Sequence, residues 1–253
     1  MGNTADTPSE LSDADKKRCQ DKIIQVAITN SIVNATQRSL ADLFLLRMSA
    51  SALHIGILAA INSLQILVRM VGLKLLPRTG KANLGSLGRL LSLPAVVLIA
   101  LIAFFATRIP NIAVWATLAL FAIRGVFASV AETGWWPLLQ DNTSEGSIGA
   151  FLARMRFRLR VLDITLPIVV GWYLGNAPSP GRFAPLFLIS ALSLTGSVLI
   201  FRKIPETPIV TPSIRVIPRL YKAIRLPSVR MFCIYSVAFV LVNSLIHDLR
   251  PSA

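Results

Sequence analysis

Acidic residues are scarce in this chain, charged residues of either sign are few, and cysteine and histidine are nearly absent. Only 15% of its 253 residues are charged, against about 25% in soluble domains, so much of its surface faces something other than water. Cys19 and Cys233 lie far apart in unlike contexts, which gives neither a disulfide framework nor metal-ligand spacing. His54 and His247 are isolated, and no Ser/His/Asp or paired-carboxylate arrangement stands out. No enzyme, metal or cofactor chemistry is therefore expected. "LPRTGKANLG" lacks P-loop spacing, and no block repeats at a short period. The opening "MGNTADTPSELSDADKKRCQ" has no apolar core and is not a signal peptide. With Thr4 and Asp6 after Gly2 it also fits a myristoylation signal poorly.

What is abundant is apolar: 54% of the residues, with a mean hydropathy of +0.64. Seven stretches approach the roughly 20 residues that span a bilayer: Ile23–Leu46, Ser51–Leu76, Leu90–Thr107, Ile112–Leu139, Phe157–Gly175, Phe183–Phe201 and Met231–Ile246. Their continuity, without strand-like alternation, predicts helices rather than barrel strands. The fold expected is an all-α polytopic membrane protein. It has a disordered cytoplasmic tail over 1–21, a six-helix bundle over 22–202, a basic connector over 203–229 and a seventh helix over 230–253.

The net charge of +14 would suit nucleic acid, but its distribution argues otherwise. Basic residues gather in the tail (Lys16, Lys17, Arg18, Lys22), after the second run (Lys74, Arg78, Lys81, Arg89), after the fourth (Arg154, Arg156, Arg158, Arg160) and throughout the connector. The alternate loops hold one each, Arg47, Arg108 and Arg182. By the positive-inside rule the N-terminus and the basic loops are cytoplasmic, and the charge meets lipid rather than nucleic acid. The alternation holds only if the first and fifth runs, weak by hydropathy alone, are real spans.

Several spans carry polar groups that lipid would not tolerate. In "TNSIVNATQRSLADLFLL", Asn30, Asn34, Arg38 and Asp42 recur every four residues. Each step advances about 40° past a full turn, giving a slowly winding stripe that Gln37 widens. Arg38 and Asp42 are spaced to interact on one helix face. A charge at mid-membrane costs at least a few kcal/mol, so the stripe faces other helices or a water-filled cavity. It serves either as a neutralised pair joining helices or as the lining of a transport path. The fourth run adds Arg124 and Glu132, and Gly125, Ala128, Ala131 and Gly134 allow close helix contact. Trp135 and Trp136 suit interfacial anchoring. Asp163 answers the arginine cluster before it, and "GWYLG", Gly171 to Gly175, has helix-packing spacing.

Three stretches resemble the N-terminal half of a bacterial major facilitator superfamily transporter. "LHIGILAAINSLQILVRMVGLKLLPRTGKA" is similar to that family's second helix and loop motif: Gly72 matches the opening glycine, and Arg78, Gly80 and Lys81 its basic end. Leu76 stands where the family has aspartate. "WWPLLQDNTSEGSIGAFLARMRFR" is similar to the turn after the fourth helix, with Asp141, Gly149, Phe151 and Arg154 in place, and Arg124 resembles the fourth-helix arginine. The resemblance implies a secondary transporter in a bacterial plasma membrane. It would move a small solute, with a coupling proton or cation, between two six-helix halves. Six spans, a connector and one further helix ending at Ala253 look like such a transporter cut after its second half begins. The missing half would then come from a separate chain or from self-association. A non-transporting membrane scaffold, or an inactive truncated product, is the alternative.

Overall fold

The apolar runs become long helices, and the breaks between them fall where glycine, proline or charge interrupts. The computed structural model describes residues 13–106, 108, 110–143 and 148–204, together with 226, 227, 230, 231, 234 and 235. Among the described residues the regular elements are helical, with no strand. Four helical segments are long and apolar enough to cross a membrane: Ala52–Thr79, Lys81–Phe105, Ile112–Asp141 and Pro180–Phe201. By length and composition they mark an integral membrane protein.

The first helix, α1 (Asp13–Val33), contains neither proline nor glycine and so begins well before the apolar run. Residues 13–21, expected in a disordered tail, are helical, and Cys19 and Ile23 are buried. Residues 1–12 lie outside the described residues. The expected first span, Ile23–Leu46, is not one continuous helix. After Val33 the backbone widens into a π turn, Asn34–Arg38, whose i+5 bond runs from Ser39 N–H to the Asn34 carbonyl at 3.0 Å. A short α2 (Ala41–Arg47) follows.

α3 (Ala52–Thr79) and α4 (Lys81–Phe105) are joined by the single residue Gly80, at φ 83° and ψ 164°. It donates its N–H to the Leu76 carbonyl that ends α3, and its carbonyl accepts from Leu84 N–H at the start of α4. Positive φ is close to free for glycine and strained for other residues, so Gly80 lets two helices meet with no loop. The third span therefore starts at Lys81, not Leu90, and takes in Arg89. The fourth run is split into α5 (Pro110–Glu132) and α6 (Trp135–Asp141) by a turn at Thr133–Gly134.

α7 (Ile148–Leu174) holds the expected fifth span in its second half. Its first half carries Arg154, Arg156, Arg158 and Arg160. That charge keeps it out of the four strongly apolar helices. Gly175, at φ 69°, ends α7. A 3-10 turn, Pro180–Arg182, leads into α8 (Phe183–Phe201).

In packing order α3 lies against α5, α5 against α4, α4 against α8, α8 against α1, and α1 against α7. One core gathers Phe44, Phe183 and Phe187, with Phe44 ring centroids 5.3 and 5.1 Å from the other two. A second joins Ile23 and Val26 of α1 to Leu138, Leu139, Phe151 and Phe201. Because lipid is as apolar as leucine, close backbone approach and interhelical hydrogen bonds carry much of this packing. At Gly88 an added Cβ would lie 2.6 Å from the Phe127 carbonyl oxygen and 2.7 Å from Ala131 Cβ, so α4 and α5 touch there. The buried hydroxyls of Thr36 and Ser190 bond at 2.6 Å between the π turn and α8. α3 buries only Leu58 and Gly72, and α7 leaves Phe157, Ile164, Ile168 and Trp172 outward. Gly171 of the "GWYLG" spacing meets open space, with no helix packed on it among the described residues.

The chain divides into two units, Met1–Ile209 and Val210–Ala253. In the second, Met231, Ile234 and Tyr235 are helical and exposed. The remainder of the expected seventh helix, and positions 205–225, 228 and 229 of the connector expected over 203–229, lie outside the described residues.

Candidate functional site

Three helices turn polar side chains toward a common space. α5 offers Arg124 and Glu132, with the small Ala128 between them on the same face. α1 and the π turn offer Asn30, Asn34 and Arg38, and α3 offers Asn62, Gln65 and Arg69. They line two adjoining cavities of about 120 and about 190 Å³ that share Asn34, Arg124, Ala128 and Glu132. Arg89 and Ser92 of α4 and Leu194 of α8 complete the smaller one.

Five of the six residues nominated from sequence are thus brought together: Asn30, Asn34, Arg38, Arg124 and Glu132. Asp42 is not. It sits exposed in the first turn of α2, beyond the π turn, and makes no ion pair with Arg38. The four-residue stripe assumed an unbroken α-helix, and the widened turn ends that register at Arg38. Gln37, expected to widen the stripe, is fully buried instead, and among the described residues neither end of its amide has a hydrogen-bond partner.

Sequence reasoning missed four amide or guanidinium contributors. Arg69 was visible as the charge interrupting the second apolar run. Its Nη2 donates to Glu132 Oε2, and each side chain is about half exposed, at 51% and 49%. Glu132 therefore pairs across helices, with a residue of α3. Asn62 and Gln65 precede Arg69 by seven and four residues, the spacing of one helix face, and Gln65 Nε2 donates to Asn62 Oδ1 at 3.3 Å. Arg89, counted with the loop cations, is only 4% exposed. Its Nη1 donates to the Gly85 carbonyl at 2.9 Å, and its guanidinium stands 4.3 Å over the Phe201 ring, a favourable cation–π arrangement.

The loop-motif residues separate into two groups. Lys81 and Asp141 meet: Lys81 Nζ donates to Asp141 Oδ2 at 2.5 Å, with side chains 11% and 17% exposed. This ties the start of α4 to the end of α6. Gly134 supports the contact, since an added Cβ would lie 2.5 Å from the Lys81 carbonyl oxygen. Gly72 lets α3 approach α5, where a Cβ would strike Thr133, and Gly80 makes the turn. Arg78, Gly149 and Arg154 are exposed, and among the described residues Arg154 bonds its own helix, at the Ala150 carbonyl. A Cβ at Gly149 would meet nothing among the described residues. Trp135 packs near Phe201 with centroids 6.2 Å apart, whereas Trp136 is exposed. Asp163 reaches Arg160 at 4.0 Å on the surface of α7.

No protein-family model, curated protein or solved structure matches the chain. The site is read from its chemistry. It offers amides and guanidiniums around a small space, with one carboxylate among the described lining residues.

Proposed function

We propose that this chain is a unit of a secondary transporter of major facilitator type, which carries a small polar solute by alternating access. The observation that supports the reading most is the polar cavity between apolar helices, lined from α1, α3 and α5 and crossed by the Arg69–Glu132 pair. Ionisable groups inside a membrane are costly and mark solute or ion pathways. In this reading α1 with α2, α3, α4, α5 with α6, α7 and α8 form a six-span half. Its N-terminus lies on the cytoplasmic side of a bacterial plasma membrane. The apolar flanks of α3 and α7 then meet a second half, from another copy or another chain, because the path in such transporters lies between two halves.

Single cysteines at Asn34 and Asn62, in a background with Cys19 and Cys233 replaced by alanine, test this in native membranes. A charged, impermeant thiol reagent is applied to right-side-out and inverted vesicles, with Ile164→Cys as a lipid-facing control. Reaction at both cavity positions from both sides, with the control silent, is the expected result. Reaction from one side only would favour a non-transporting scaffold with a wet cleft. No reaction from either side would reject the cavity as a path.

A further inference from the structure

The two adjoining cavities hold an uncompensated excess of positive charge. Arg38, Arg69, Arg89 and Arg124 line them, and Glu132 is the one carboxylate among the described lining residues. Glu132 is engaged by Arg69. Arg89 is held by the Gly85 carbonyl and the face of Phe201. Arg38 and Arg124 remain, and among the described residues neither forms a hydrogen bond with a partner side chain or an ion pair. Arg38 is exposed and Arg124 partly buried, and a guanidinium kept inside a membrane without an ion pair costs several kcal/mol unless something neutralises it.

We propose that the cavity binds a small anion bearing a carboxylate or phosphate group, held between Arg38 and Arg124. The guanidinium fork matches both groups in shape and forms charge-assisted, often bidentate bonds with them. A neutral polyol would leave both charges unmatched, and a cation would add to them. The nearby amides of Asn34 and Gln65 donate to and accept from the rest of the solute. Cavities of about 120 and about 190 Å³ lie below the roughly 300–1,000 Å³ of drug-sized sites, so the solute is small. This deepens the transport reading, because it concerns the same cavity, but binding is measurable without transport.

The test uses the full chain purified in detergent, with thermal unfolding followed in sodium phosphate, sodium succinate, sodium chloride and glycerol at matched ionic strength. A ligand that binds only the folded state raises its stability. Phosphate, succinate or both are expected to raise the melting temperature above the chloride value. Phosphate alone would identify a tetrahedral group, and succinate alone a carboxylate. Arg124→Gln and Arg38→Gln are each expected to weaken the effect on the order of tenfold or more, while Arg158→Gln, on exposed α7, leaves it unchanged. The proposal is overturned if neither anion stabilises the unmodified chain beyond chloride, a result that needs no variant to fold. It is equally overturned if the effect survives both cavity substitutions together. Anion binding with one-sided cysteine labelling would keep the site and remove the transport reading. Two-sided labelling without anion binding would do the reverse.

Discussion

Glu132 shares its cavities with three nearby cations: Arg89 on α4, Arg124 two turns away on its own helix, and Arg69 on α3. It takes Arg69, which leaves Arg124 for whatever enters the cavity. The three acid–base relations at this scale differ in surroundings and so in magnitude. Lys81 and Asp141 are mostly enclosed, and breaking a buried pair from one side costs roughly 3–5 kcal/mol. Asp141→Ala should therefore destabilise the detergent-solubilised chain more than Asp141→Ala combined with Lys81→Ala. Arg38, at the end of the π turn, and Asp42, beyond it in α2, form no ion pair despite their i,i+4 spacing, and their alanine substitutions should add independently. Double-mutant cycles on thermal unfolding check both. A non-additive Arg38/Asp42 cycle, or an additive Lys81/Asp141 cycle, would contradict the geometry.

Among the elements, α4 and α5 show how a helix pair is specified by what is left out. Gly88 faces Ala131 and the Phe127 carbonyl with no room for a Cβ, whereas Gly149 on α7 faces open space. Gly88→Leu should wedge α4 from α5 and lower folded yield. Gly149→Ala should be neutral, or stabilising by up to about 1 kcal/mol, because alanine is the better helix former. Fluorescence-detected size exclusion of the two variants checks this, and a severe loss at Gly149 would restore a role for its loop. The long apolar runs were legible because hydropathy and helix length are properties of local composition. The same averaging hid Arg89: a window that penalises charge closed the third span at Leu90 and left a buried guanidinium among the loop cations. Asn62, Gln65 and Arg69 form a readable face, but only once their helix is known to border a cavity. Nothing in "NATQR" distinguishes a π turn from an α turn, so the loss of Asp42 from the site was not readable from spacing.

For the whole molecule, the packing order leaves α3 and α7 with the most outward apolar surface. The basic residues alternate with the spans only if α1 with α2 and α7 both cross. Reporter fusions at Arg154 and at Ser179 are therefore expected on opposite faces of the membrane. The same face at both positions would remove α7 from the spans, and with it the six-span half.

The π turn at Asn34–Arg38 gives that first span two phases. One residue of α-helix corresponds to about 100° of rotation, so a single surplus residue resets which side of the rod looks inward. Up to and through the turn, Asn30, Asn34 and Arg38 line the cavities. After it, Ala41, Phe44 and Leu45 close on the aromatic cluster at α8. A uniform helix would have carried the wet edge through to the far end of the rod. The turn stops it there, so one stretch of sequence supplies a polar wall to the cavity and then an apolar anchor to the core.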